Sequence, residues 1–168
     1  MANAVTRLEP ISSAPVTISG VTLQLAPPAA RYSLRARDAA LLADVTRLVL
    51  PESIGETIDG VAKVGPDEWY ARLYDGAIVS LGDGQPISVT DIGDRAVGII
   101  VEGPRTIETL SAGCPLDLSR FAIGHTTRTV FETVEIIVTR EAELRFHVDV
   151  WRSFAPWLWQ ALFTAAAE

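Results

Sequence analysis

The closing stretch WRSFAPWLWQALFTAAAE (Trp151–Glu168) constrains the fold most, because it is apolar on more than one side. With Ser153 as N-cap and Pro156 inside the first turn, where a missing N–H costs nothing, the pattern predicts a helix. Phe154, Leu158, Ala161, Leu162 and Ala165 form one stripe, and Trp159, Phe163 and Ala166 form a second beside it. Trp151 and Trp157 add to these, so three of the four tryptophans fall in the last eighteen residues. A helix lying on its own small sheet needs only one apolar face. The second needs cover, either from the N-terminal segment or from a partner chain, and Trp151, Phe154, Trp157, Trp159 and Phe163 are the candidate partner contacts.

The preceding residues supply a sheet for this helix. Ala96–Glu102 is an almost unbroken apolar run, as expected of a strand covered on both faces. Gly103-Pro104 ends it, and Pro104 opens a short helix that presents Ile107 and Leu110 before Gly113 and Pro115 stop it. Thr129–Thr139 reads as one strand, with Val130, Val134, Ile136 and Val138 on one face and Phe131, Thr133, Glu135 and Ile137 on the other. A polar loop, Arg140–Glu143, leads to a strand with Leu144, Phe146, Val148 and Val150 inward and Arg145, His147 and Asp149 toward solvent.

The first half repeats this order. After a polar arm, residues 1–15, the run Val16–Leu25 reads as a bulged strand or two short pieces around Gly20, ended by Pro27-Pro28. Tyr32, Leu34 and Ala36 alternate with Ser33, Arg35 and Arg37, and Asp38 then caps a helix bearing Leu41, Leu42, Val45, Leu48 and Val49 up to Pro51. Thr57–Val64 and Glu68–Leu73 flank the turn Gly65-Pro66-Asp67, and two short apolar pieces, Ala77–Leu81 and Pro86–Asp91, flank Gly82-Asp83-Gly84. The expected fold class is α+β, two split strand–helix–strand–strand(–helix) units, the first without its closing helix. An arm and strand over 1–30 precede a single domain over 31–168, whose repeat divides into 31–92 and 93–168.

Composition removes several functions. Hydrophobic residues make up 48% of the chain, enough for a real core, and mean hydropathy is +0.25. Fourteen basic against twenty-one acidic side chains give a net charge of −7, which opposes nucleic-acid binding. The single cysteine excludes an internal disulfide framework. No leader-like or membrane-spanning run is present, so the expected location is the cytoplasm, without a membrane partner.

No catalytic, cofactor-binding or metal-binding residue can be nominated. Cys114 follows Gly113 at a helix end, where the dipole disfavours a thiolate, and reads as a buried structural thiol. His125 falls in a polar turn and His147 on an outward strand face, so neither reads as a ligand. Asp91 and Asp94 flank Gly93 in a turn, while Glu132 and Glu135 point to opposite faces and cannot act as a dyad. Gly82-Asp83-Gly84 has neither the spacing of a phosphate loop nor a following helix.

Three motifs in order, GPDEWYARL (Gly65–Leu73), GPRTIETLSAGCPLDL (Gly103–Leu118) and RSFAPWLWQAL (Arg152–Leu162), resemble the gamma subunit of heterotetrameric sarcosine oxidases. The resemblance runs from Tyr32 to the end. That family looks like a reduced N-terminal, folate-binding part of the glycine-cleavage aminomethyltransferase. The resemblance implies a non-catalytic structural subunit of a flavin-dependent complex oxidising sarcosine or another N-methyl amino acid, docked on a large alpha subunit, with beta and delta subunits as further partners. It implies no cofactor on this chain; FAD, FMN, NAD, tetrahydrofolate and zinc belong to the other subunits. A stand-alone folate or one-carbon binder is the alternative. The chain departs from the pattern in its missing first-copy helix and in Val150-Trp151, which separate Asp149 from Arg152-Ser153.

Overall fold

The computed structural model describes residues 9–74 and 79–168. Two antiparallel sheets stand face to face. The first orders β1 (Val16–Ile18), β2 (Val21–Leu25), β8 (Ala96–Glu102), β11 (Arg145–Trp151), β10 (Val134–Ala142) and β9 (Thr126–Phe131). The second orders β4 (Thr57–Ile58), β5 (Val61–Gly65), β6 (Glu68–Leu73), β3 (Ala30–Ala36) and β7 (Ile87–Asp91). Helices α2 (Thr106–Ser111) and α3 (Ala155–Ala167) cover the outer face of the first sheet, and α1 (Ala39–Thr46) that of the second. The architecture is α+β, and the two sheets share a wiring: β5-β6-β3 lie in the same order around α1 as β10-β11-β8 around α2.

Alternation explains why two cores form rather than one. On β8, β10 and β11 the residues Val97, Ile99, Val101, Val134, Ile136, Val138, Phe146, Val148 and Val150 face outward onto Leu158, Leu162 and Leu110. On β3 and β6, Tyr32, Leu34, Trp69, Ala71 and Leu73 face Leu42 of α1. Each fully buried leucine contributes roughly 1.5–3 kcal/mol relative to exposure. The opposite faces of these strands meet one another and carry the polar residues.

Several local expectations change. Thr129–Thr139 is not one strand: Glu132, at φ 52°, and Thr133 turn the chain back, so that Phe131 pairs with Val134 and joins the same core. Glu132 therefore lies in a turn rather than on a strand face. The run Arg140–Ala142 belongs to β10, and the chain reverses instead at Glu143-Leu144, leaving Leu144 exposed. Val16–Leu25 forms a hairpin through Ser19-Gly20, and Thr57–Val64 is divided at Asp59-Gly60. At Gly60, φ is 81° and a Cβ would lie 2.4 Å from the Arg72 carbonyl oxygen, so a side chain has no room there.

The helices also differ in detail. Asp38 caps α1 through Oδ1, which accepts from the amides of Ala40 and Leu41, but the helix ends at Arg47 in the left-handed region and leaves Val49 exposed. Pro104 precedes α2 instead of opening it. Ser153 does not cap α3; a 3₁₀ turn over Arg152–Phe154 leads into it, with Pro156 in the first turn. The buried stripe of α3 is Ala155, Leu158, Leu162 and Ala166, so Ala166 lies in the core while Phe154 does not. Of the Ala77–Leu81 piece, residues 77 and 78 lie outside the described residues, and no strand forms over 79–81.

Candidate functional site

The chemistry-bearing side chains gather in the seam between the two sheets. Asp149 of β11 is its centre: Oδ1 accepts from Arg31 Nε at 2.9 Å and lies 3.1 Å from His147 Nε2, while Oδ2 accepts from an Arg72 terminal nitrogen at 3.2 Å. Arg72 also donates to Glu141 at 3.0 Å, and Arg145 joins Glu141 to Glu102. Arg31 and Arg72 sit opposite each other on β3 and β6, and His147 and Asp149 one pleat apart on β11, so register gathers each set within its own sheet and the packing of the two sheets brings the arginines onto Asp149.

Electrostatics follow from this placement. Burial opposes ionisation of both carboxylates, but His147, Arg31 and Arg72 outweigh it at Asp149 and hold that group well below the usual range. At Glu141 burial is likewise outweighed by His147, Arg145 and Arg72, and its value falls to about 2. Tyr70 lies beside this cluster, its hydroxyl buried and without a well-formed hydrogen bond; burial, then the Asp149 charge, push its value well up. Two other side-chain links cross the seam among the described residues: Glu68 with Arg128, where Arg35 joins from Glu68's own sheet and these hydrogen bonds lower the Glu68 carboxyl against burial, and a hydroxyl chain Thr57–Thr126–Thr139 at 2.8 and 2.9 Å.

His147 thus does not face solvent. It is fully buried, because the outward face of β11 meets a second sheet rather than water. The groups of the cluster pair mainly with one another, although His147 Nδ1 and Arg72 Nε are buried without a well-formed hydrogen bond; a recess of about 220 Å³ lies against Arg31 and Gly98, while the cavity lined by Tyr70, Asp149 and Trp151 has only about 30 Å³ of room. That admits a water or two, not a pterin ring. His125 stacks edge-on against Phe121 at 4.4 Å, with burial lowering its value, and Cys114 is buried in the first core. Gly93 N donates to Asp91 Oδ1 at 2.8 Å, closing the turn over Asp91–Asp94. Among the described residues no three His, Cys, Asp or Glu side chains are grouped to hold a metal, and no helix is long and apolar enough to cross a membrane.

The five aromatic residues at the C-terminal end separate into two groups. Trp159 packs against the first core, and the ring of the half-buried Trp151 lies under the Arg95 guanidinium at 4.7 Å. Phe154, Trp157 and Phe163 are exposed by 46%, 39% and 36%. At about 100° per residue Trp157 points away from the buried stripe and Phe163 flanks it, so the exposed rings span much of the solvent side of α3. No charged side chain occurs between Ala155 and Ala167.

Of the seam residues, Tyr70 and Arg72 fall within the GPDEWYARL motif, which did not mark them as seam residues, while Arg31 and Glu141 carry no motif in the sequence. The available signal was the match of unlike charges: arginines on the polar sides of β3 and β6, acids on those of β10 and β11.

No protein-family model and no curated protein matches the sequence. Solved structures do. The glycine cleavage system aminomethyltransferase T from Bartonella henselae aligns with a TM-score of 0.64 at 12% identity, over 87% of this chain but 46% of its own. A chain of the heterotetrameric sarcosine oxidase from Corynebacterium sp. U-96, in complex with pyrrole 2-carboxylate, aligns with a TM-score of 0.76 at 24% identity, over 91% of this chain and 89% of that one. The fold is therefore the aminomethyltransferase-like α+β fold, here at the length of the oxidase chain and about half that of the aminomethyltransferase.

Proposed function

We propose that this chain is the structural, non-catalytic gamma-type subunit of a heterotetrameric flavin-dependent complex that oxidises sarcosine or another N-methyl amino acid, and that it docks on the large alpha subunit. The observation that carries the reading is the end-to-end likeness to a chain of a heterotetrameric sarcosine oxidase, at 91% and 89% coverage. The internal chemistry supports it: Arg31, Arg72, His147 and Asp149 bind each other across the seam and leave no accessible acid–base or nucleophilic group among them. The exposed rings of Trp157 and Phe163 on a charge-free helix, with Phe154 in the turn before it, supply an interaction surface, because aromatic side chains carry much of the energy at protein interfaces.

In this reading the chain holds no cofactor. FAD, FMN, NAD, tetrahydrofolate and zinc reside on the alpha, beta and delta partners, and the chain contributes shape and apolar contact. The test is purification of the tagged chain from its native host, with subunit masses and the visible spectrum recorded together. Three co-purifying subunits and a flavin spectrum are expected. A colourless single polypeptide stabilised by tetrahydrofolate would instead identify a stand-alone folate binder.

A further inference from the structure

Resting on the subunit reading, the inference concerns where the partner touches and with what kind of residue. A groove of about 380 Å³ runs along α3 beside the β9–β10 turn, lined among others by Ala112, Trp157, Ala161, Ala165, Glu132 and Glu168. Ala112, Ala161 and Ala165 give it small apolar surface beside the exposed Trp157 ring, and Gln160 and Thr164 add uncharged polar groups. Among the described residues the ionisable side chains lining it are the two glutamates, and neither forms an ion pair there. Arg105, at the far end of α3, donates to the Ala166 carbonyl, but its charge is matched by Glu108. Glu132 is held in place by its backbone, whose amide donates to the Gly113 carbonyl at 2.7 Å.

We propose that this groove receives an arginine carried on an otherwise apolar segment of the partner subunit. Its hydrocarbon stem lies along Ala161, Ala165 and the Trp157 ring, and its guanidinium reaches Glu132 and Glu168. The argument is charge complementarity: an apolar stem ending in a cation matches a groove that offers alanine and Trp157 surface and, as its ionisable side chains among the described residues, two glutamates. Trp157 adds a ring face on which a guanidinium or its stem stacks.

The test uses the tagged chain in its native host, reading the partner subunits retained after washing and the thermal unfolding of each variant. Glu132→Arg combined with Glu168→Arg is expected to reduce retained partner at least tenfold, Glu132→Gln less, and Trp157→Ala about as much as the double reversal, with unfolding temperatures near wild type. Raising salt is expected to weaken wild-type retention and to leave the residual retention of the double reversal unchanged. Wild-type retention in both Trp157→Ala and the double reversal would overturn the groove while leaving the subunit reading standing. Recovery of the wild-type chain without partners would overturn both.

Discussion

Gly98 of β8 and His147 of β11 approach so closely that a Cβ on Gly98 would sit 2.4 Å from His147 Nε2 and 2.8 Å from the Ala26 Cβ. The imidazole occupies the space a side chain would take, and in that position meets Asp149.

Gly98→Ala is therefore expected to destabilise the fold. Neither obstructing group has room to yield, since His147 is fully buried and Ala26 is packed beside it. Overpacking of this kind costs about 1–3 kcal/mol, and displacement of His147 from Asp149 brings the loss to the upper end. Urea unfolding of the purified protein measures it, and a wild-type midpoint would contradict the stated packing.

Asp149→Asn removes the charge that Arg31 and Arg72 share in the seam. Breaking a buried pair from one side costs about 3–5 kcal/mol, because the remaining charges stay buried without compensation. The expected result is a large fall in unfolding midpoint, whereas Asp44→Asn, in an exposed pair with Arg47, is expected to change almost nothing.

Acid should loosen the seam. Asp149 and Glu141 both titrate lower in the folded chain than when free, so their ionised forms stabilise the fold above their ordinary values, 3.8 for Asp149 and 4.5 for Glu141, and protonation removes that contribution as pH falls. For Glu141 the loss extends down to about pH 2, and for Asp149 lower still. Unfolding midpoints measured from pH 6 to pH 2.5 should fall steadily in the wild type and less steeply in Asp149→Asn.

Residues on α3 should divide by assay. Leu158→Ala is expected to cost roughly 2–5 kcal/mol of fold stability, as for any fully buried leucine, and Trp159→Ala should also destabilise because its ring packs on the core. Phe163→Ala and Phe154→Ala should leave unfolding within about 0.5 kcal/mol of wild type while weakening assembly. Equal effects of all four in both assays would remove the distinction between core and docking faces.

Much of the fold was readable because apolar alternation marks any strand with one dry face, and β3, β8 and β11 each announce their cores. Two features stayed hidden for different physical reasons. The β9–β10 turn is made by Glu132-Thr133, which lacks the glycine or asparagine that normally signals left-handed backbone, so two strands read as one. His147 and Asp149 alternate with valines just as a solvated strand face does; only the second sheet turns that polar face into an interior, and one strand's periodicity carries no information about what covers it. The apolar excess of α3 was legible, but its division was not, because the core takes a stripe through Ala166 and Trp159 that shifts with the helix's start.

The first sheet is drawn from two separated stretches of chain. β2 pairs with β8, Leu23 opposite Val101, and all five strands of the other sheet come between them. As the polypeptide leaves the ribosome, residues 30–91 can complete their own sheet while the hairpin Val16–Leu25 has no strand to join. It acquires one only after Glu102 has emerged, and its apolar Val21 and Leu23 stay uncovered until α3 follows. Pairing of this hairpin with β8 closes a long loop, so it should be slow and cannot precede the synthesis of residues 96–102. Until then β8 offers an open edge, the point at which a newly made molecule is most exposed to mispairing.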